Sequence, residues 1–423
     1  MKVPSQRNTI AVAAVALLSS AGASALEINA GDYKFTVNGN VNVHYIYSSC
    51  EKNPASVAGG LACTKTGSEG NNSSISNGLL PAALVFGINT HQAGLDIGAH
   101  FGFYPGVSSN DGGSPNLQQG APAGTNVALA TTALDVRQIY LDFGNKDIGT
   151  FQLGRNFGLF GFDAIINDIT IPGVGGAGSA SGGAPANTTL GSIGLGYVYT
   201  DTLAQINYTT PDFAGLKATI GIYDPLNTVG QTIPGPGGVP VSTPSKKDQP
   251  GFHGKLAYNL AFDKTTKLYL SSTFITQEQR DVGAVGNNYR SYGVDIGGKF
   301  TIADFEVLGW YYYGKGLGTT ALYLLSDDGA GNRRGSNGYL AQATYKLGDV
   351  KLGVNYGVSR LGLAQGEANS ALVARNSKVT GGVYYSLTKN LTLVGEVTSV
   401  EAKSHLGDKN QSLNFNIGTF LSF

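Results

Sequence analysis

Two cysteines have the most defined chemistry of any residues in the sequence. Cys50 and Cys63 flank a stretch rich in glycine, serine and asparagine, and the chain has no other cysteine. In an exported protein such a pair forms a disulfide, although with His44 nearby the same thiols could contribute to a metal site. Two thiolates and one imidazole leave a zinc ion one ligand short. We therefore predict a disulfide that closes a surface loop, and no metal site.

Three other patterns could carry chemistry, and each has a simpler explanation. Residues 173–178 satisfy G-x-G-x-x-G, but they lie in a low-complexity stretch without the strand and helix that dinucleotide binding requires. Asp327, Asp328 and Asn332 could ligate calcium, but no acidic residue closes the loop, so a solvated hairpin tip is favoured. The five histidines are scattered, and no Ser-His-Asp spacing can be argued. We predict that the chain is not an enzyme and has no cofactor.

The beginning of the chain has the composition of an export signal. Two basic residues precede a short apolar run, residues 10–18, and the small residues 23–25 form a cleavage site. The apolar run is too short to span a membrane as a helix. We predict a signal peptide over residues 1–25 and a single mature domain over residues 26–423, and export favours the disulfide.

The composition argues against several classes of protein. The chain has 28 basic and 28 acidic residues, and only 13% of its 423 residues are charged. A nucleic-acid-binding protein needs an excess of Lys and Arg, so we expect no nucleic-acid partner. With 41% apolar residues the chain is not disordered, and beyond residue 25 it has no apolar run of about 18 residues that could form a transmembrane helix. The 62 glycines and 22 tyrosines are typical of an all-β chain.

Long stretches of the sequence alternate between apolar and polar residues. In residues 33–47 the odd positions carry mostly Tyr, Phe and Val, whereas the even positions carry mostly Lys, Thr, Asn and His. A period of two residues is that of a β-strand with one apolar and one polar face. The pattern recurs in four further segments: residues 289–302, 338–347, 350–360 and 412–423.

The connections between these segments alternate between short and long. Seven short turns and eight long loops can be placed, which predicts sixteen strands with both termini at one rim. A soluble β-sandwich also has alternating strands, but its connections need not alternate in length. Short periplasmic turns, long extracellular loops and a polar inner face are typical of transmembrane barrels, whose closed sheet satisfies every backbone group. We predict an antiparallel barrel with a water-filled lumen. Tyrosines near strand ends would form its interfacial girdles: Tyr45, Tyr47, Tyr197, Tyr199, Tyr311–Tyr313, Tyr384 and Tyr385.

One region of the chain resembles the general trimeric porins of Gram-negative bacteria. Residues 148–158, IGTFQLGRNFG, look like the segment that enters the third loop of these proteins. Residues 172–176, PGVGG, resemble the family's P-E-F-G-G turn, and residues 208–217, YTTPDFAGLK, resemble its periplasmic turn after the sixth strand. The C-terminal Phe423 resembles the family's outer-membrane assembly signal. The densest part of the resemblance covers residues 137–217.

The resemblance implies a sixteen-stranded barrel, a homotrimer and a third loop that folds inward and narrows the pore. It also implies a constriction at which basic wall residues face carboxylates of that loop. On this reading Arg155 and Arg137 are wall residues, and Asp163 and Asp168 are their acidic partners. Either arginine could instead be a solvated lumen residue or be paired to hold the loop, and the two aspartates could equally anchor the loop by hydrogen bonds.

The chain departs from the family pattern where the constriction should carry charge. Gly173 stands where the family has a glutamate, and Thr209 where it often has an arginine. Residues 171–190 contain no charged residue. We therefore expect a weaker constriction field than in a typical member of the family.

Inward-facing strand positions carry charges of both signs. A narrow pore with low-dielectric walls focuses electric fields, so a few such charges can set its selectivity. Mixed signs predict a weakly charge-selective channel. The residues that we expect to line the pore are Lys34, Asp295, Lys299, Glu306, Lys346, Lys351 and Glu396.

The predicted function is a diffusion channel in the outer membrane of a Gram-negative cell, open to small hydrophilic solutes and ions. Its expected partners are outer-membrane lipid, lipopolysaccharide and two further copies of the chain. The alternative is a substrate-selective channel, for example for sugars, because Trp310, Tyr312 and Tyr384 have inward parity and could form an aromatic ladder. A barrel enzyme would need a catalytic cluster at the outer rim, for which the sequence offers no pattern.

Overall fold

A computed structural model describes most of the chain. The described residues are 25–51, 55, 57–63, 70–107, 134–178, 188–231, 240–243, 246–282, 286–368 and 371–423. The predicted signal peptide lies outside these residues, apart from Ala25, and so does most of the predicted long loop at 105–131.

The chain forms an antiparallel, closed barrel, as predicted. Sixteen strands pair in succession: β2, β4 to β9 and β12 to β20, and the last of these pairs with β2. In chain order the strands are β1 (Leu26–Ala30), β2 (Tyr33–Cys50), β3 (Asn71–Ser76), β4 (Ala83–Gln92), β5 (Leu95–Pro105), β6 (Leu134–Asn145), β7 (Gly149–Phe157), β8 (Thr202–Thr209), β9 (Leu216–Tyr223), β10 (Thr228–Gln231), β11 (Pro240–Thr243), β12 (Gly251–Ala261), β13 (Thr266–Val282), β14 (Asn287–Ile302), β15 (Phe305–Lys315), β16 (Gly335–Leu347), β17 (Val350–Leu361), β18 (Val373–Ser386), β19 (Leu391–Ser404) and β20 (Lys409–Ser422).

Four strands are additions to this wall. β1 folds back on the first half of β2, and β3 pairs with the second half of β2, in line with β4. β10 and β11 form a hairpin within the long loop after β9. One short helix, α1 (Phe162–Asn167), lies between β7 and β8. Among the described residues, no helix is long and apolar enough to cross a membrane.

The apolar and polar faces of the strands are the outer and inner faces of the barrel. On β14, Val294 and Ile296 are exposed, whereas Ser291 and Asp295 are buried. On β20, Phe415 and Ile417 are exposed and the asparagines between and beside them are buried. A wall with apolar side chains outside and polar side chains inside suits lipid on one side and water on the other. The prediction of alternating barrel strands is confirmed.

Short turns join the strands at one end of the barrel, and long loops join them at the other. The turn between β16 and β17 consists of Gly348 and Asp349, and Gly348 has φ 60°, a left-handed conformation that glycine adopts without strain. At the opposite end, Cys50 and Cys63 form a disulfide, with Cα atoms 5.7 Å apart, as predicted. The disulfide ties the first long loop to the end of β2.

Long loops besides the third also fill the loop end of the barrel, which the sequence did not lead us to expect. Phe160, Val198 and Tyr323 of these loops pack against Ile275 and Tyr312 of the inner wall. A second cluster joins the loop after β3 and the loop after β7 to β15 and β16: Leu79, Ala164, Ile165, Leu190, Ile193, Tyr197, Leu308, Trp310 and Leu340. The barrel therefore has an apolar core inside its lumen.

Some tyrosines predicted for the membrane girdles belong to this interior instead. Tyr197, Tyr312 and Tyr384 are buried, and Tyr199 hydrogen-bonds to an arginine inside the barrel. Tyr45, Tyr311 and Tyr385 are exposed on the outer face, as expected for girdle residues. The period of two places a residue on one face, but it does not tell whether a loop covers that face.

Candidate functional site

The third loop, residues 158–201, leaves the wall after β7 and returns to it at β8. Gly161 precedes α1 with φ 76°, and a Cβ atom there would lie 2.6 Å from the Val198 carbonyl oxygen. A residue with a side chain would therefore be strained and would collide with the returning part of the loop. α1 ends at Asn167, where Asp168 takes an extended conformation. The loop runs inward, as the resemblance implied.

Asp163 fastens the helix of the third loop to the wall. Its Oδ1 lies 2.6 Å from the Lys255 Nζ, and its Oδ2 accepts hydrogen bonds from the Tyr269 hydroxyl at 2.7 Å and the Ser271 hydroxyl at 2.6 Å. The Asp163 side chain is only 1% exposed. A buried carboxylate with one cation and two hydroxyl donors is fully satisfied by the protein, so Asp163 anchors the loop.

Asp168 anchors the loop a second time, beyond α1. It accepts hydrogen bonds from the Tyr197 hydroxyl at 2.8 Å, from Asn355 Nδ2 of β17 at 2.9 Å and from the Thr170 amide at 3.0 Å. Burial and the adjacent carboxylate raise the pKa of Tyr197, so this hydroxyl stays protonated as the donor. Both predicted loop aspartates are therefore brought to the wall and paired there.

Two carboxylates of the wall hold the loop backbone in return. Asp295 of β14 accepts from the Gly161 amide at 2.8 Å. Glu396 of β19 accepts from the Val174 and Gly175 amides at 2.8 and 2.9 Å, and from the Tyr384 hydroxyl at 2.6 Å. Both were predicted to line the pore; they do face inward, but they are buried beneath the third loop.

The position of Glu396 explains why glycine occupies residue 173. A Cβ atom on Gly173 would lie 2.2 Å from a Glu396 carboxylate oxygen. A glutamate at position 173, as in the family pattern, would bring a second carboxylate against the first. The negative charge at this level is thus supplied by the wall.

A buried lysine, missed by the sequence analysis, lies between these anchors. Lys378 of β18 is 1% exposed, and its Nζ donates to the Thr380 hydroxyl at 3.1 Å. Asp168 and Glu396 both interact with it electrostatically. Its inward parity on β18, shared with Asn376 and Thr380, is a signal from which it could have been found.

Arg137 lies inside the barrel because of a β-bulge. In the ladder between β5 and β6, Gly102 pairs with Gln138 and Phe103 with Val136, so Arg137 is the extra residue. Its Nε donates to Asp135 at 2.8 Å, and its guanidinium lies 5.3 Å from the ring centre of Tyr104. The arginine is buried and paired.

Arg155 lies at a ladder position that it shares with outward-facing residues. It pairs in the ladder with Ile139 and Ala204, which are both exposed on the outer face of the wall. Its Nη2 donates to the Thr202 hydroxyl at 2.8 Å. Gly154 before it has φ 127°, an unusual conformation for a strand residue. The register alone indicates the outward side of the wall for Arg155, whereas its Nε is buried, and its role at the constriction stays a prediction.

Lysines remain accessible in the half of the lumen that ends in the short turns. We call four inward-facing ones, on β13, β14, β16 and β17, the lysine row: Lys267, Lys299, Lys346 and Lys351. Glu306 of β15 is their neighbour; its carboxylate lies 3.2 Å from the Lys351 Nζ and 4.0 Å from the Lys299 Nζ. Lys34, also predicted to line the pore, pairs with Glu27 of β1 at 2.6 Å. Lys267 was missed, although its parity matches that of the others.

The aromatic residues with inward parity do not form an open ladder. Trp310, Tyr312 and Tyr384 are each less than a twentieth exposed, at 3%, 1% and 4%. Trp310 packs with Ala164 and Ile165 of α1, and Tyr384 donates to Glu396. These rings support the third loop and are not available to a solute.

The residues considered for calcium binding, Asp327, Asp328 and Asn332, form hydrogen bonds within their own turn. Asp328 accepts hydrogen bonds from the Ala330 and Asn332 amides and from the Asn332 side chain. Asp327 accepts from the Gly329 amide and the Tyr289 hydroxyl. The carboxylates thus stabilise their own turn. In the part of the chain that the structure describes, no three His, Cys, Asp or Glu side chains are grouped to hold a metal ion.

Comparison with known proteins gives the same assignment as the geometry. The family model for Gram-negative porins matches residues 10–405. No curated protein sequence matches the chain.

Solved structures share the fold at low sequence identity. The outer-membrane channel DcaP of Acinetobacter baumannii is 15% identical with a TM-score of 0.65, covering 93% of this chain and 99% of that one. The anion-selective porin of Comamonas acidovorans is 12% identical with a TM-score of 0.61, covering 92% and 100%. OmpF of Salmonella typhi is 14% identical with a TM-score of 0.56, covering 94% and 100%. These likenesses show the fold, and the family match shows the membership: the chain belongs to the Gram-negative porins and is an outer-membrane channel.

Proposed function

We propose that this channel serves the passive diffusion of small hydrophilic solutes and ions, with weak charge selectivity. The supporting observation is the contrast between the two faces of the wall at the short-turn end. Outside, the side chains are apolar and exposed; inside, Lys299 and Lys351 retain 33% and 41% of their side-chain exposure. Charged side chains that stay accessible within a barrel need water around them.

Size exclusion would take place at the third loop. The loop is held inward by four carboxylates, two of its own and two of the wall, and it packs on an apolar cluster around Trp310. A loop fastened on both sides of the lumen restricts passage by its bulk. Because its carboxylates are hydrogen-bonded to the protein, they are poorly placed to select ions.

The proposed function also implies where the channel is located and which molecules it contacts. Residues 1–25 would direct export, and residues 26–423 would form the mature barrel. Outer-membrane lipid and lipopolysaccharide would contact the apolar outer face. The resemblance to the general trimeric porins supports a homotrimer.

Conductance of the refolded, full-length mature chain in planar lipid bilayers tests the proposal. We expect discrete current steps that occur in threes and grow in proportion to salt concentration. A bilayer that stays silent with correctly folded protein would contradict a diffusion channel, and single, unrelated steps would contradict the trimer.

The sugar-selective alternative depended on an inward aromatic ladder. Because Trp310, Tyr312 and Tyr384 are buried against the third loop and the wall, no observation now favours it. In the bilayer experiment, block of the current by millimolar sugar would restore that alternative.

A further inference from the structure

Charged side chains differ in burial between the two ends of the lumen, and at the level of the third loop the cations Arg137 and Lys378 are buried as well as the carboxylates. Carboxylates at the level of the third loop are buried and hydrogen-bonded: Asp135, Asp163, Asp168, Asp295 and Glu396. The lysine row is exposed or half-buried. A buried carboxylate that is paired with protein donors contributes little to the potential in nearby water, whereas an accessible ammonium contributes directly.

The lysine row lies close to the short turns. Lys346 and Lys351 stand on either side of the turn at Gly348 and Asp349, and they are directly opposite each other in the ladder between β16 and β17. Like charges in such a pair repel unless something of opposite charge lies near them. Lys299 is on β14, two strands away from β16, so that three ammonium groups surround the one strand that carries Glu306.

The carboxylates near the row do not balance it. Glu306 is shared between Lys299 and Lys351, and among the described residues neither Lys267 nor Lys346 forms an ion pair with a carboxylate. At the rim, the Asp263 carboxylate accepts from the amides of Thr265 and Thr266 in its own turn. Asp304 and Asp349 are exposed in the turns, where salt screens them. Four ammonium groups against one carboxylate leave the inner wall positive.

We propose that the lysine row makes the channel prefer small anions, such as carboxylates, phosphates and chloride. This preference arises in the half of the lumen next to the short turns, lined by the lysine row, which we call the turn-end vestibule, and not at the third loop. The inference rests on the proposed diffusion function. A positive wall in a confined aqueous space concentrates anions and excludes cations at low salt. The buried charges around the third loop hold the loop in place, and the charges of the vestibule determine the ion selectivity.

The reversal potential in a potassium chloride gradient tests this inference. We expect the unmodified channel to have a chloride-to-potassium permeability ratio above one. The double variant Lys267→Gln/Lys346→Gln should lower this ratio about twofold, because it removes half of the row. The matched control Lys264→Gln/Lys389→Gln removes two lysines exposed in the short turns and should leave the ratio unchanged.

A third variant should act in the opposite direction. Glu306→Gln removes the only carboxylate among the described residues that pairs with the row, so it should raise the ratio by about twofold. A ratio at or below one in the unmodified channel would overturn the inference, and so would an equal shift in the turn-lysine control. Complete absence of conductance would instead contradict the proposed function, so the two failures are distinguishable. Raising the salt concentration should diminish all of these differences, since the charges are exposed.

Discussion

The third loop and the turn-end vestibule carry the same types of charged residue but present them to different surroundings. Around the loop, Asp163 is 1% exposed and has three protein donors. In the vestibule, Lys351 is 41% exposed and shares the Glu306 carboxylate with Lys299. A charge surrounded by protein partners acts on the protein, whereas a charge in contact with water acts on ions. Which residue type stands at a wall position therefore matters less than what covers it.

The strongest test of this comparison removes a loop anchor. Glu396→Gln eliminates a buried charge that accepts two loop amides and faces Lys378, so we expect the loop attachment to lose about 2–4 kcal/mol. Trp310, the only tryptophan in the chain, packs against α1 and reports on the loop. Its fluorescence should shift to longer wavelength and become accessible to iodide.

Glu401→Gln is the matched control on the same strand. Glu401 pairs with Arg375 and faces outward beyond the third loop, so its loss should leave the Trp310 emission unchanged. An unchanged emission in Glu396→Gln as well would mean that the wall carboxylate does not hold the loop.

A second variant converts a lysine that is paired beside the third loop into one without a carboxylate partner. Asp163→Asn breaks the ion pair with Lys255 and leaves that ammonium, already 21% exposed, without a carboxylate partner. We expect the chloride-to-potassium permeability ratio to rise by less than about twofold, together with a loss of about 1–3 kcal/mol in stability. Lys255→Met combined with Asp163→Asn should return the ratio to its original value, which separates the freed charge from a loosened loop. If the ratio stays raised in the double variant, the freed ammonium is not its cause.

The smallest change in the chloride-to-potassium permeability ratio is expected for substitution of Arg137, which lies inside the barrel. Arg137→Gln removes a cation whose Nε donates to Asp135 and that lies in the loop half of β6, away from the lysine row. We expect the permeability ratio to change by less than about a quarter, well below the effect of the two lysines of the row. The reversal potentials of Arg137→Gln and of Lys267→Gln/Lys346→Gln are measured side by side. A larger shift for Arg137→Gln than for the double lysine variant would mean that the selectivity arises at the constriction.

The barrel could be predicted from the sequence because each strand repeats one simple pattern. The period of two in residues 33–47 and 412–423 identifies the strands, their outer faces and, through the alternating connections, their number. Asp163 and Asp168 could also be located, since the resemblance identifies the loop that carries them. In each case the information is local in sequence or contained in a motif.

The roles of individual charges could not be predicted in the same way. Parity shows that Asp295 and Glu396 face inward, but not that a distant loop brings its amides to them, since those contacts join residues more than 100 positions apart. The surroundings of Arg137 and Arg155 could not be predicted for a different reason. A bulge in β6 sets the side of the wall on which Arg137 lies, and the irregular Gly154 precedes Arg155 in β7, and neither irregularity has a signature in the residue types.

The position of the lysine row along the barrel axis has an electrical consequence. One end of the lumen carries neutralised charge beneath the long loops, and the other carries uncompensated ammonium groups beside the short turns. A pore that carries fixed charge at only one end passes more current under one polarity of voltage than under the other, in the manner of an ionic diode. Anions leaving the periplasm and anions entering it would therefore meet different resistances in the same pore.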